Sequence, residues 1–259
     1  MNKSPLVALY DQDQRINIEY PDTQREVTPN VVRHINLSGT GEGAITYCQL
    51  AEANVERIIR EQVAYFESIG QDFEWKVFDY DRPFDLKERL GLNGFEIEEA
   101  EAIMVLDLAD APEILWQPVR HNVQRIIHPE KISEVITVEQ QVGDEDYAQL
   151  GHYLRQTLRT HPEQLSVYAA YIEEQPVSTA WTYFPNQSQF ASLWGGSTIS
   201  GFRRQGLYTA LLAVRAQEAK SRQVAYLTVD ASAMSRPILE KFGFETIAYS
   251  YPCKWKLKS

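Results

Sequence analysis

The segment that most constrains the fold of this chain is residues 195–212, with the sequence GGSTISGFRRQGLYTALL. It is a basic turn interrupted by glycines, and an amphipathic helix follows it directly. The preceding residues 190–194 predict a strand, so the unit is strand, turn and helix. The predicted apolar face of the helix consists of Leu207, Ala210, Leu211 and Val214, and its predicted water-facing residues are Arg215, Glu218 and Lys220.

The chemistry of this turn favours an anion such as a phosphate. The first amides of a helix have no partner inside the helix, and the helix dipole places partial positive charge at the same end. Gly206 lacks a Cβ, so a diphosphate can approach its backbone closely, and Arg203 and Arg204 add permanent positive charge. The turn has neither the Gly-Lys-Ser/Thr of a P-loop nor the dinucleotide fingerprint Gly-x-Gly-x-x-Gly. A helix N-terminus that is basic and carries a glycine without binding a ligand is the open alternative.

Two motifs in this half of the chain resemble those of a known family. The run Arg203-Arg204-Gln205-Gly206-Leu207-Tyr208 resembles the Arg/Gln-x-x-Gly-x-Gly/Ala signature of the GNAT superfamily of acyl-CoA-dependent N-acyltransferases, with Tyr208 where the family usually has a small residue. Residues 226–230 predict the next strand. Residues 232–244 then resemble the family helix that ends in Gly-Phe, here Gly243-Phe244. The resemblance covers roughly the last half of the chain, on an element count typical of one domain.

The resemblance implies an acetyl-CoA site. The backbone amides that would hold the pyrophosphate are those of Arg204, Gln205, Gly206, Leu207, Tyr208 and Thr209. The strand edge at Gly196, Ser197 and Thr198 would pair with the pantetheine arm and orient the acetyl carbonyl. A glycine pair at residues 195 and 196 suits a bulged or splayed strand there. Ser232 stands where many members have an asparagine that contacts the cofactor.

The usual acid and one usual base of the family are missing. Leu239 stands where many members have the tyrosine that protonates the departing thiolate, and Thr228 stands where some carry a catalytic glutamate. Three explanations stay open. In the first, another side chain replaces them, with Asp230 and Tyr249 as the candidates and Tyr251 also near in sequence. In the second, positioning and carbonyl polarisation alone carry the reaction. Or the domain binds acyl-CoA without catalysis.

The leading functional expectation is an N-acetyltransferase that moves an acetyl group from acetyl-CoA to an amine by direct attack. The acceptor would be a small-molecule amine or a peptide N-terminus. A non-catalytic acyl-CoA binding or sensing protein is the first alternative. An interaction scaffold without a ligand is the second, and it predicts no thermal shift with coenzyme A.

The amino-acid composition limits the classes of binding partner and the cellular compartment that we expect for this protein. The formal net charge of −11 disfavours sequence-independent nucleic-acid binding, which needs a basic surface. No apolar run approaches the length needed to span a bilayer, so no membrane partner is expected. Two cysteines, Cys48 and Cys253, fit a reducing cytoplasm. The five histidines do not group at metal-ligand spacing, so we expect no metal site.

An order of motifs occurs twice along the chain. A predicted strand at 73–79, then Arg82-Pro83 and Gly94-Phe95-Glu96, parallels a strand at 227–230, then Arg236-Pro237 and Gly243-Phe244-Glu245. We therefore predict an α+β (mixed α/β) fold of two GNAT-like domains, each a mixed central sheet flanked by helices. Residues 1–125 would be a degenerate copy without a basic turn, and residues 126–259 would carry the acyl-CoA site. Convergence of strand–helix–strand sequences is the open alternative.

The coarse pattern also predicts individual elements. Strands are predicted at 27–37, 44–49, 100–108, 167–173, 177–184, 190–198 and 248–257. Helices are predicted at 52–69 and 144–159, and residues 110–130 are predicted to connect the domains. A tight turn is predicted at Glu174, Gln175 and Pro176.

Overall fold

The computed structural model describes residues 4–39, 41–143 and 147–257. Its helices are α1 (Pro5–Tyr10), α2 (Val55–Ser68), α3 (Leu86–Leu92), α4 (Ile132–Val142), α5 (Ala148–Thr160), α6 (Leu207–Ser221) and α7 (Arg236–Glu240). Its strands are β1 (Thr23–Val27), β2 (Val31–Asn36), β3 (Gly43–Cys48), β4 (Phe73–Phe78), β5 (Glu96–Ile97), β6 (Glu101–Asp107), β7 (Asn122–Ile126), β8 (Leu165–Ile172), β9 (Gln175–Tyr183), β10 (Phe190–Thr198), β11 (Tyr226–Ala231) and β12 (Glu245–Trp255). None of the helices in these ranges is long and apolar enough to cross a membrane.

The chain forms two compact units. The first comprises Met1–Met104, Asp230–Glu240 and Glu245–Ser259, and the second comprises Val105–Val229 and Lys241–Phe244. The division therefore falls inside β6 and inside β11, and the last strand, β12, groups with the N-terminal residues. The predicted domain boundary between residues 125 and 126 stays a prediction.

The first unit is built on a mixed sheet. β1, β2 and β3 follow one another in antiparallel pairing, β3 runs parallel to β4, and β12 pairs antiparallel with both β4 and β5. Along β4, Phe73, Trp75 and Val77 are buried and alternate with less buried polar residues, as a half-buried strand requires. The ring of Phe66, from α2, stacks on that of Phe73 with centroids 4.1 Å apart. This aromatic contact joins the apolar stripe of α2 to the sheet.

The second unit has helices on both faces of its sheet. β7, β8, β9 and β10 pair antiparallel in that order, and β11 runs parallel to β10 over the first three residues of β10. Leu165, Val167 and Ala169 of β8 share one core cluster with α4 and α5. Tyr168 and Ala170 belong to the cluster that contains α6. Because alternate residues of a strand point to opposite faces, α5 and α6 lie on opposite sides of this sheet.

Most predicted elements are present, some with shifted ends. The strand at 190–198 and the helix that begins at Leu207 are confirmed, and so are the strands near 73–79, 100–108 and 226–230. The helix predicted at 144–159 is observed as α5, although residues 144–146 lie outside the described residues. The helix expected within 232–244 is confined to the five residues of α7. The strand expected to close the chain is observed as β12.

Two predictions of local structure are wrong for reasons of turn chemistry. The single strand expected at 27–37 is two strands, because Thr28 turns the chain between them. Its Oγ1 accepts from the backbone N–H of Val31, and its own N–H donates to the Val31 carbonyl. The turn predicted at Glu174, Gln175 and Pro176 lies one residue earlier, at Glu173 and Glu174, which have φ values of 49° and 65°. Pro176 is inside β9.

The predicted water-facing side of α6 is also partly wrong. Arg215 is 2 % exposed, and its guanidinium donates to the carbonyl oxygens of Leu211 and Trp194 at 3.1 and 3.4 Å. Burial lowers the pKa of Arg215. Glu218 is half-buried and accepts hydrogen bonds from Ser166 and Tyr168. Local hydrophobic periodicity misassigned both residues because it does not see their partners on strands distant in sequence, which are Trp194 for Arg215 and Ser166 and Tyr168 for Glu218.

Candidate functional site

A bulge interrupts β10 at its glycine pair. Gly195 and Gly196 have φ values of 67° and 91°, and the register against β9 shifts between Gly195 and Ser197. A Cβ on Gly195 would lie only 2.5 Å from the ring of Trp181, which is buried. The strand distortion predicted from these glycines is confirmed, and only glycine fits its first position without strain or collision.

The turn after β10 presents unpaired backbone N–H groups at the start of α6. Gly206 is the N-cap with φ 81°, and no side chain caps the helix. The first N–H bonded back into the helix is that of Ala210, 2.9 Å from the Gly206 carbonyl oxygen. Within the described chain, the N–H groups of Leu207, Tyr208 and Thr209 have no acceptor. These three donors lie at the positive end of the helix dipole, where an anion is stabilised.

His121, which lies just before β7, forms a hydrogen bond with the turn that precedes α6. Its Nε2 is 2.8 Å from the carbonyl oxygen of Gln205, and because a carbonyl can only accept, Nε2 carries the proton. A Cβ on Gly206 would lie 3.2 Å from the same imidazole ring. No local pattern in the sequence indicates this role of His121, because its partner is 84 residues away.

The two arginines of the turn have different environments. The Nε of Arg203 donates to the Thr198 carbonyl at 3.0 Å, which ties the turn to the end of β10. Arg204 is exposed, has φ 62°, and has no acidic partner among the described residues. The backbone donors, the absent Cβ of Gly206 and the free charge of Arg204 together fit a diphosphate group such as that of coenzyme A.

Tyr208 occupies space that Gly196 leaves open. Its Cε2 is 3.3 Å from the place where a Cβ on Gly196 would be, and its ring centroid is 6.2 Å from that of Phe242. Burial raises the pKa of Tyr208, against the opposing charge of Arg215. The missing side chain at residue 196 therefore explains how a tyrosine is accommodated where the family signature has a small residue.

A buried carboxylate lies directly behind the bulge. Glu139 of α4 is 5 % exposed. Its Oε1 accepts from Thr179 Oγ1 at 2.7 Å and its Oε2 accepts from Ser197 Oγ at 2.6 Å. Residue 197 is one of the predicted site residues, whereas Glu139 was not predicted. A single acidic residue in an amphipathic helix carries no local signal that distinguishes it from a surface residue.

The predicted catalytic candidates lie in the first unit. The carboxylate of Asp230 accepts a hydrogen bond from the ammonium of Lys76 in a largely buried ion pair. Burial lowers the pKa of Lys76, but Asp230 and Glu101 outweigh it and hold that pKa above its ordinary value. The hydroxyl of Tyr249 accepts from Arg236 Nη1 at 2.8 Å. Both candidate groups are therefore engaged with cations.

The remaining predicted residues divide between the two units. The second unit brings together the bulge residues Gly196, Ser197 and Thr198 and the turn and helix residues 204–209. Ser232 belongs to the first unit, is exposed, and accepts at Oγ from the N–H of Ser235 at 3.3 Å. Leu239 is 2 % exposed and packs as an ordinary apolar residue.

Comparison with known proteins finds similarity to GNAT acetyltransferases. Residues 129–244 match the sequence model of the acetyltransferase (GNAT) family. No curated protein sequence matches the chain. Among solved structures, a GCN5-related N-acetyltransferase from Kribbella flavida is similar with a TM-score of 0.68 and 16 % identity, over 90 % of this chain and 89 % of that one.

Two further solved structures have a similar fold. A tandem GNAT protein from the clavulanic acid biosynthesis pathway has a TM-score of 0.63 and 12 % identity, over 94 % of this chain and 86 % of that chain. A GCN5-related N-acetyltransferase from Sphaerobacter thermophilus has a TM-score of 0.59 and 9 % identity, over 90 % of this chain and 82 % of that chain. At these identities the likeness shows the fold, and it confirms the predicted mixed α/β fold of tandem GNAT form.

Proposed function

We propose that this protein transfers an acetyl group from acetyl-CoA to an amine, as the match of residues 129–244 to the acetyltransferase (GNAT) family model suggests. The observation that carries the proposal is the start of α6. There, three backbone N–H groups without acceptors in the described chain adjoin a glycine N-cap and the exposed Arg204. This combination suits the diphosphate of coenzyme A better than it suits a structural helix end, whose amides are usually capped.

We assign the cofactor contacts residue by residue. The amides of the turn and first helical turn would hold the pyrophosphate, and those residues are Arg204, Gln205, Gly206, Leu207, Tyr208 and Thr209. The bulged end of β10 (Gly196, Ser197, Thr198) would pair with the pantetheine arm and orient the acetyl carbonyl. Ser232 would supply a further contact. Acetyl-CoA supplies the activated acetyl group, and the protein supplies orientation and hydrogen-bond donors.

The reaction requires a neutral amine, a donor for the oxyanion and a tolerable leaving group. A backbone amide at the end of β10 would stabilise the oxyanion. A thiol has a pKa of about 8.5, so a thiolate departs without an obligatory acid, and Leu239 is compatible with turnover. Tyr249 and Asp230 stay candidates for proton transfer. Of these two, Asp230 is engaged in an ion pair with the Lys76 ammonium.

The acceptor is proposed to be a small-molecule amine or a peptide N-terminus. The net charge of −11 attracts cationic amines and repels nucleic acids. Cys48 and Cys253 are both buried, and neither forms a disulfide within the described residues, which suits the reducing cytoplasm that we propose as the compartment.

Calorimetric titration of coenzyme A into the wild type and Gly206→Trp tests the cofactor site. We expect binding to the wild type and a loss of at least tenfold in affinity in the variant, because an indole at residue 206 fills the approach to the amides. Gly94→Trp is the matched control, since Gly94 also has a positive φ of 90° and has no atom within 4 Å of an added Cβ. Equal affinity in all three proteins would contradict the proposed site.

An assay with radiolabelled acetyl-CoA over a panel of amines tests the transfer reaction. The panel should include polyamines, aminoglycosides, amino acids and peptides with free N-termini. We expect acetylation of at least one class. Tight coenzyme A binding without any turnover would instead support a second candidate, a non-catalytic acyl-CoA sensor, which the buried Leu239 and the ion-paired Asp230 favour.

A further inference from the structure

Glu139 is a buried carboxylate, and no cation among the described residues forms an ion pair with it. Its only hydrogen bonds within the described residues are those from Thr179 and Ser197, at 2.7 and 2.6 Å, and it forms no ion pair there. An isolated buried carboxylate is costly, and two hydroxyl donors satisfy only part of its capacity. Groups placed at such a cost in a potential site are candidates for proton transfer rather than for packing.

The hydroxyl of Ser197 connects this carboxylate to the proposed acetyl position. Ser197 is the first residue after the bulge, and its backbone carbonyl accepts from Ser178 Oγ at 2.6 Å, which fixes the main chain. Its side chain points to α4, because Ser197 pairs across the sheet with Thr179 and both hydroxyls contact Glu139. The proton path from the bulge to Glu139 is therefore a single hydrogen bond.

The same face of β10 is open to solvent at Trp194. Trp194 and Ser197 pair with Trp181 and Thr179, which are two residues apart on β9 and therefore share one face. That spacing places Trp194 about 7 Å from Ser197 along the strand. The Trp194 side chain is 47 % exposed, so its indole offers an acceptor amine a surface on the face of β10 that carries Ser197.

We propose that Glu139 accepts, through Ser197, the proton that the acceptor ammonium must lose. This inference rests on the proposed acetyltransferase function. The ammonium gives one proton to Ser197 Oγ while the Ser197 hydroxyl proton passes to Glu139 Oε2. The neutral amine then attacks the thioester carbonyl, so that the C–N bond forms and the C–S bond breaks. The second nitrogen proton goes to the thiolate, and Glu139 returns its proton to solvent after the product leaves.

The titratable groups near Glu139 come from the elements that pack around α4. The elements packed against α4 are α5, β9, β10 and the turn Pro129–Lys131. Their titratable residues are His152, Tyr153, Arg155 and Arg159 of α5, Tyr183 of β9, and Glu130 and Lys131 of the turn. The elements β7, β8 and α6 share core clusters with α4 and add Arg125, Tyr168, Tyr171, Tyr208, Arg215, Glu218 and Lys220, and α4 itself also carries Glu134. Arg159 and Lys131 pair with Glu130 and Glu134, and β10 has no titratable side chain.

The test compares pH profiles of kcat/KM for the wild type, Glu139→Gln and Ser197→Ala. We expect each variant to lose at least a hundredfold in kcat/KM and to lose the acid limb of the profile, with coenzyme A affinity within threefold of wild type. Ser197→Thr should restore most of the activity, because it keeps the hydroxyl. Glu134→Gln is the matched control on the same helix, and we expect it to keep the wild-type profile.

A second nucleophile separates proton transfer from a structural role. With an amine that is already neutral at the assay pH, Glu139→Gln should lose less than fivefold, whereas damage to the bulge would slow both amines equally. Wild-type activity and an unchanged profile in Glu139→Gln would overturn the relay and leave the acetyltransferase proposal standing. If Glu139→Gln does not fold, the Ser197→Ala and Ser197→Thr pair gives the same decision. A wild type that binds coenzyme A and acetylates no amine would overturn both proposals.

Discussion

Replacement of Gly195 by alanine should destabilise the second unit by about 2–5 kcal/mol. The φ of 67° costs a non-glycine residue about 1–2 kcal/mol. The added methyl would lie 2.5, 2.8 and 3.0 Å from three atoms of the Trp181 ring. Trp181 is only 8 % exposed and belongs to the core with α4 and α5, so it cannot move away freely. Overpacking of such a site adds about 1–3 kcal/mol.

Denaturant unfolding followed by circular dichroism measures this loss. Gly243→Ala is the matched control, because Gly243 is in the same unit and has a φ of 85°, but its added Cβ would make only ordinary contacts at 3.4 and 3.6 Å. Gly201→Ala, where nothing lies within 4 Å and φ is not positive, should be nearly neutral. If Gly195→Ala costs no more than Gly243→Ala, the collision with the indole does not exist and the described bulge is wrong.

Three further predictions address the turn, the first unit and the candidate acid. His121→Ala should weaken coenzyme A binding by roughly threefold to tenfold in calorimetry, because a bond worth about 0.5–1.5 kcal/mol orients the turn, and exposed His152→Ala should not. Burial lowers the pKa of His34 from 6.5 to about 4. Between these two pH values the unfolded chain therefore binds more protons than the folded protein. The wild type should therefore lose up to about 3 kcal/mol as the pH falls from 6.5 to 4, a loss that His34→Gln removes from unfolding curves. Tyr249→Phe should lower kcat roughly 100-fold without changing coenzyme A affinity if Tyr249 protonates the thiolate, and wild-type turnover would remove it as a candidate.

The strand, turn and helix around Gly206 were predictable because their signals are local. Glycine at 195 and 196 indicated the bulge, and helical spacing from Leu207 indicated α6, with no information needed from the rest of the chain. The family motifs lie in the same segment. Local periodicity and turn chemistry therefore predicted most of the fold near the candidate cofactor site.

The residues that local patterns missed act through partners far away in sequence. His121 meets Gln205 across 84 residues, and Glu139 meets Ser197 across 58. Arg215 looked like a surface residue because its charge is satisfied by carbonyl oxygens rather than by an acid. Such contacts exist only once the sheet has formed, so no window of the sequence reveals them.

The C-terminal strand β12 belongs to the first unit, so truncation of the chain affects the stability of that unit. Six residues of β12, from Ser250 to Trp255, pair with β4, which lies in the N-terminal half of the chain. A fragment of residues 126–259 would contain β12 without its pairing strand β4. The complementary fragment of residues 1–125 would contain β4 with unpaired backbone N–H and C=O groups along the edge that β12 covers in the full chain. Both pieces would tend to aggregate. Co-expression of the two pieces should rescue solubility by re-forming that seam, whereas neither piece alone would stay in solution.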